Sequence, residues 1–176
     1  MKRALFLDRD GVVNVEKDYL YKHEDFEFID GVFELIRHYQ KLGYLIFIVT
    51  NQSGIARGFY SKNDFHRLTA WMETQFLKES VKIQKVYFCP HHPEISGMCS
   101  CRKPQPGMLL QAAREYKIDL KNSIMIGDKE RDVEAGLNAG LTTTYLFDEN
   151  NSVKNSKATK IVLKLEDIWK KDAYFK

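Results

Sequence analysis

The amino-acid sequence predicts an α/β fold with a mainly parallel sheet, from two patterns. Short, continuously apolar runs alternate with amphipathic stretches of helical period, and each helical stretch has a readable start and stop. Runs without polar alternation suit strands covered on both faces, and strands alternating with helices imply right-handed crossovers.

Residues 4–7 (ALFL) form the first expected strand. With Met1-Lys2-Arg3 before it, this run superficially resembles an export signal, but it stops at Asp8, far short of an apolar signal core. Asp30 is placed to cap a first helix with Val32, Leu35, Ile36, Tyr39 and Leu42 on one face and Gly43 as its stop. Residues 44–49 (YLIFIV) read as a second strand. Ser61-Lys62-Asn63-Asp64 resembles a capping box opening a helix with Phe65, Leu68, Met72 and Phe76 inward. Strands are expected at 86–88, 124–126 and 143–147. A helix should run from Pro106-Gly107 to about residue 116, and another over 130–139, ended by Gly140. The Asn/Ser/Lys-rich residues 149–157 read as a surface loop before a last short strand and helix.

At 176 residues, one domain spanning 1–176 is expected, without internal repeats or linkers. The 27 basic and 24 acidic residues are dispersed, which argues against a nucleic-acid partner, and no apolar run approaches the roughly 18 residues of a membrane span. Three cysteines without an export signal fit a reducing cytoplasm better than a disulfide framework.

In an open parallel sheet, ligands sit beyond the carboxyl ends of the strands. There the sequence places Asp8-Arg9-Asp10-Gly11, Thr50-Asn51-Gln52-Ser53-Gly54 and Gly127-Asp128-Lys129, with Arg102-Lys103-Pro104 a loop beyond the third strand. Asp8 and Asp10 are two apart, so a strand's period aims both the same way, and Gly11 lets the backbone turn. With Asp128 they offer oxygen ligands to a hard cation, for which Mg²⁺ is the usual choice beside phosphate. Asp8 can then attack phosphorus, with Asp10 as acid and then base, while Thr50 and Lys103 stabilise charge on the phosphoryl oxygens.

All three cysteines fall in the stretch Cys89-Pro90-His91-His92 … Cys99-Ser100-Cys101. Cys89, His91, Cys99 and Cys101 can supply four ligands to a tetrahedral, structural Zn²⁺; the alternatives are free thiols or a transient disulfide beside two loop histidines. Zinc at about 89–101 would pin the loop directly upstream of Arg102 and Lys103. His92, adjacent to His91, is expected to point elsewhere.

These elements resemble the haloacid dehalogenase superfamily of phosphotransferases, whose four motifs match Asp8-Arg9-Asp10-Gly11-Val12-Val13-Asn14, Thr50, Lys103 and Gly127-Asp128. The resemblance runs from about residue 5 to 147. It implies a Rossmann-like sheet with helices on both faces and no large cap domain, Asp8 as nucleophile and Asp10 as acid/base. It further implies Mg²⁺ held by the Asp8 side chain, the Asp10 carbonyl and the Asp128 side chain, with the Lys129 backbone a further candidate and Asp132 in support.

Within that superfamily, the zinc loop running into Cys101-Arg102-Lys103-Pro104 is similar to the D-glycero-D-manno-heptose 1,7-bisphosphate 7-phosphatases and to the histidinol-phosphate phosphatases. Residues 26–32 and the segment 50–58, Gly54-Ile55-Ala56-Arg57-Gly58 above all, are similar to the heptose enzymes. This resemblance implies a small phosphorylated sugar as substrate, held by Glu16, Lys17, Asp18, Tyr19, Thr50, Asn51, Gln52, Ser53, Arg102 and Lys103. Arg102 would recognise the phosphate that is not cleaved. Glu16-Lys17-Asp18-Tyr19 departs from the acidic-His-Gly-Tyr pattern common there, and the zinc loop is nearer the histidinol-phosphate length. The expectation is a cytoplasmic, monomeric, Mg²⁺-dependent heptose bisphosphate 7-phosphatase. A histidinol-phosphate phosphatase is the enzymatic alternative, and a zinc-stabilised binding module the non-catalytic one.

Overall fold

The computed structural model describes residues 1–170, so the last six residues of the expected 1–176 domain lie outside the described residues. Six strands form one sheet: β1 (Ala4–Leu7), β2 (Leu45–Asn51), β3 (Lys85–Cys89), β4 (Ile124–Gly127), β5 (Thr143–Phe147) and β6 (Lys160–Val162). Their order is β3-β2-β1-β4-β5-β6, and every neighbouring pair is parallel. Such a sheet is covered on both faces, which is why the sequence shows continuous apolar runs.

Alternation along the strands sorts the core into two layers. Leu5, Leu7, Ile46, Ile48, Ile124 and Ile126 pack with helices α1 (Val32–Lys41), α2 (Lys62–Lys78) and α6 (Glu166–Trp169). Ala4, Phe6, Phe47, Val49 and Met125 pack on the other face with α4 (Gly107–Tyr116) and α5 (Glu130–Ala139). The remaining helix, α3 (Pro93–Ser96), is one turn inside the cysteine-rich loop and was not anticipated. No large cap interrupts this arrangement among the described residues, and none of their helices is long and apolar enough to cross a membrane.

Two helix details differ from expectation. The residue before α1 that acts as its N-cap is Gly31, in the left-handed region (φ 81°), and Asp30 makes no cap bond. Leu42 lies at the C-terminal end of α1 and is exposed instead of packing inward. The capping box of α2 forms as expected: Ser61 Oγ accepts from Asp64 N, and Asp64 Oδ2 accepts from Ser61 N.

With β1 central, its carboxyl end lies between those of β2 and β4, where the strand order reverses direction. Crevices at such points bind ligands in open α/β sheets.

Candidate active site

β1 stops at Leu7, so Asp8 and Asp10 sit on a turn, not on a strand. The turn, and not a strand's period, therefore sets where their side chains lie. Gly11 takes φ +92°, and a Cβ there would meet the Asp128 carboxylate at 2.3 Å, so the turn closes against the end of β4 only with glycine. Val13 N and Asn14 N both donate to the Arg9 carbonyl, at 2.8 and 3.1 Å, and fix the loop.

The carboxylates that converge are those of Asp8, Asp128 and Asp132, one oxygen of each lying within 4.8 Å of the others. Asp132 is delivered by the first turn of α5. Its Oδ2 accepts from Lys129 N at 3.1 Å, and Gly127 lets the helix start close to β4, since a Cβ there would meet Asp132 Cβ at 2.1 Å. Lys103 threads between them with Nζ 2.9 Å from Asp8 Oδ1, 2.7 Å from Asp132 Oδ1, and donating to the Val49 carbonyl at 2.8 Å. Asn51 holds the lysine's backbone from the end of β2: Lys103 N donates to its Oδ1 at 3.0 Å, and its Nδ2 donates to the Lys103 carbonyl at 3.1 Å.

Burial pushes the Asp8 carboxyl well above its ordinary pKa; Asp132 and Asp128 add to this, and Lys103 opposes it. For Lys103 burial pulls the other way, and Asp132 and Asp8 outweigh it to hold the ammonium's pKa up. Burial also raises Asp128, against the Lys129 ammonium 2.7 Å from its Oδ2. Asp128 Oδ1 is buried without a hydrogen-bond partner. An unpartnered carboxylate oxygen facing a second carboxylate suits a hard divalent cation, so the donor set fits Mg²⁺.

Asp10 turns away from this cluster. Its Oδ1 accepts from Arg9 Nε and Nη2 and from Asn14 Nδ2, and its Oδ2 from Arg9 Nη2 and Gln52 Nε2. Arg9 is 1% exposed, also donates to the Leu20 carbonyl, and lies over the Phe65 ring. The sequence reading assigned Arg9 no role, although a guanidinium between two aspartates at a buried strand end was a visible signal.

A cavity of about 360 Å³ opens over these residues. It brings together Asp8, Asp10, Glu16, Asp18, Tyr19, Asn51, Gln52, Ser53 and Lys129, and adds Arg131 and Tyr60, which had no sequence signal. Thr50 lies within β2, not beyond it, and its Oγ1 accepts from Gln52 Nε2. Lys17 is not brought into the cavity; it reaches the Asp25 carbonyl at 2.7 Å. Arg102 does not line it either: its Nη1 donates to the His91 carbonyl at 3.2 Å, and it borders a separate cleft with Met98 and Gln105.

Cys89, His91, Cys99 and Cys101 form a second cluster, with ligand atoms within 4.8 Å of one another. Sγ of Cys101 is 3.4 Å from His91 Nδ1 and 3.5 Å from Cys99 Sγ. Burial works against ionising Cys99, but the Arg102 backbone N–H and the neighbouring Cys101, Cys89 and His91 groups lower its thiol to about 7. Three sulfurs and one imidazole nitrogen around one point fit a tetrahedral soft-metal site. His92 points away, its Nε2 accepting from Arg57 Nη2 at 2.8 Å, which joins the cysteine loop to the loop after β2.

Residues 100–164 match the family model described as Hydrolase_like, HAD-hyrolase-like. The chain is 55% identical over 147 residues to the D-glycero-alpha-D-manno-heptose-1,7-bisphosphate 7-phosphatase of Campylobacter jejuni, covering 84% of this chain and 83% of that protein. It is 49% identical over 149 residues to the D-glycero-beta-D-manno-heptose-1,7-bisphosphate 7-phosphatase of Helicobacter pylori, covering 84% of each. The crystal structure of D,D-heptose 1.7-bisphosphate phosphatase from B. bronchiseptica, complexed with magnesium and phosphate, superposes with a TM-score of 0.85 at 28% identity over 99% of both chains. With more than four-fifths of its length aligned at these identities, the chain belongs to the heptose-1,7-bisphosphate 7-phosphatase family of HAD-like hydrolases.

Proposed function

We propose that the protein removes the 7-phosphate of D-glycero-D-manno-heptose 1,7-bisphosphate through an aspartyl-phosphate intermediate on Asp8. The observation that carries the reading is the cluster of Asp8, Asp128 and Asp132 around the buried Lys103 at the strand ends, in a chain whose relatives are named for acting on this ester. Asp8, the Asp10 carbonyl and Asp128 would hold Mg²⁺, which when bound neutralises charge between a carboxylate nucleophile and a phosphoryl group.

Asp8 attacks phosphorus, forming the carboxylate–phosphorus bond as the bond to the sugar's 7-oxygen breaks. Asp10 gives that oxygen its proton, then takes one from the water that hydrolyses the intermediate to inorganic phosphate. Lys103 keeps a fixed positive charge beside Asp8 throughout, and Thr50 donates to a phosphoryl oxygen. Glu16, Asp18, Tyr19, Asn51 and Ser53 line the cavity that would take the sugar. Cys89, His91, Cys99 and Cys101 would hold a structural Zn²⁺, giving the segment before Lys103 a rigid support.

The relatives' names divide between anomers, so both belong in the test. The experiment measures Mg²⁺-dependent phosphate release from each heptose bisphosphate anomer and from histidinol phosphate. Preferred turnover of a heptose bisphosphate supports the reading. Faster turnover of histidinol phosphate overturns the substrate, and no release from any ester points to the binding module.

A further inference from the structure

Gln52 belongs to the segment expected to touch substrate, but its side chain is 2% exposed and its amide is fully engaged with protein. Its Nε2 donates to Asp10 Oδ2 and to Thr50 Oγ1, both at 2.9 Å, and its Oε1 accepts from the Tyr60 hydroxyl at 2.5 Å. The directions of these bonds follow from chemistry. Asp10 Oδ2 also accepts from Arg9 Nη2, and in the step where Asp10 takes a proton from water its carboxylate only accepts, so the amide edge facing it is the NH₂ group and the edge facing Tyr60 is the oxygen. Tyr60 therefore donates. Thr50 Oγ1, already an acceptor from Gln52, keeps its own proton free to donate elsewhere.

Tyr60 is built into place. It is 7% exposed, its ring stacks on Tyr21 with centroids 5.5 Å apart, and it packs so tightly on Gly54 that a Cβ there would lie 2.2 Å from its ring. Burial, ahead of the opposing Arg9 charge, pushes its hydroxyl up to about 12, so it stays a donor at neutral pH.

The geometry points to Tyr60 as a positioning residue that acts through Gln52. It fixes the amide so that Asp10 is held in place and the Thr50 hydroxyl is left as a donor for the phosphoryl group. This rests on the phosphatase reading above. Without the Tyr60 hydroxyl, the Gln52 oxygen loses its partner and the amide can rotate, which disorders both groups it holds. Tyr60 borders the cavity, but the group removed in Tyr60→Phe is the hydroxyl, which is turned to Gln52, so its loss should lower kcat without weakening substrate binding.

The test is a double-mutant cycle of Tyr60→Phe and Gln52→Glu, run with the Mg²⁺-loaded enzyme on heptose bisphosphate and on p-nitrophenyl phosphate. Gln52→Glu keeps the shape and the acceptor for Tyr60 but removes both donated bonds. Loss of one neutral hydrogen bond predicts kcat for Tyr60→Phe lower by about tenfold, with KM within about twofold. Gln52→Glu should lose more, and the double variant no more than Gln52→Glu alone, because residues acting through a shared partner are non-additive. A Tyr60→Phe variant with kcat unchanged, or losses that simply multiply, overturns the inference. A merely structural Tyr60 would lower Tm and the fraction of folded enzyme, leaving kcat per folded molecule intact; that result also overturns it. Wild-type turnover of p-nitrophenyl phosphate without heptose bisphosphate would refute the substrate and leave the cycle to be read on the aryl ester. Turnover of neither would remove both readings.

Discussion

Lys103 Nζ lies 2.7 Å from Asp132 Oδ1, and neither side chain is exposed to solvent. An ammonium this deep is tolerated only because carboxylates surround it. Removing one member of a buried pair leaves the other charge stranded. Asp132→Ala should therefore destabilise the protein by about 3–5 kcal/mol as well as remove activity. Denaturant unfolding of the metal-free variant measures the first, and phosphate release the second.

The roles proposed for the two aspartates of the first motif separate by size of effect. Asp8→Asn should abolish phosphate release with a native circular dichroism spectrum, since no neighbouring group can replace the attacking oxygen. Asp10→Asn keeps the nucleophile and should lower kcat by about 10²- to 10⁴-fold, the usual range for losing an acid/base group. Residual activity of Asp8→Asn above that of Asp10→Asn would exchange the assignments.

Gly11 is required twice, by its φ of +92° and by the Asp128 carboxylate 2.3 Å from where a Cβ would sit. Gly11→Ala should cost about 1–2 kcal/mol from backbone conformation alone, and more from displacing Asp128. Magnesium affinity measured by titration should fall with it; unchanged affinity would mean that Asp128 is not a ligand.

Metal analysis of purified protein should find one zinc per chain. Cys99→Ser, or a strong chelator, should release it and lower Tm, because the loop before Lys103 loses its anchor. Loss of zinc with no change in Tm or in KM would deny the loop its supporting role.

The capping box of α2 gives a pH prediction at an exposed site. Hydrogen bonds from the Ser61 side chain and backbone, then from Arg67, lower Asp64 from 3.8 to about 2. A depressed carboxylate stabilises the fold above its unfolded pKa, so this contribution is intact above pH 3.8 and is lost as pH falls through about 2. Carboxyl chemical shifts of Asp64 followed by NMR should titrate near that lower value, and Ser61→Ala should move them back toward the ordinary one.

Much of the fold was legible because it is local. Periodicity located β1 to β5 within two residues, and the Ser61 box, the Pro106-Gly107 start and the Gly140 stop were read where the helices begin and end. Asp30 misled because a capping residue is judged by type, whereas the chain enters α1 through a left-handed Gly31 that no side chain caps. The catalytic segments were legible because polar groups after apolar runs are conspicuous. Their internal geometry was not. Asp10 looked aligned with Asp8 only while residue 9 was assumed extended, and the turn at Gly11 hands the third converging carboxylate to Asp132. Tyr60 and Arg131 reach the cavity through tertiary packing, which leaves no trace in spacing.

The position of β1 in the middle of the sheet has a consequence for how the protein comes into being. Residues 10 and 52, and residues 8, 103 and 132, meet only when β2 and β4 have both docked against β1, across long stretches of intervening chain. No contiguous fragment holds more than a corner of the site, and distant pairings of this kind are slow to close. Phosphatase activity should therefore return only with the final phase of refolding, after helical signal has recovered. A polypeptide released before β4 is made would carry the nucleophile and yet be inert.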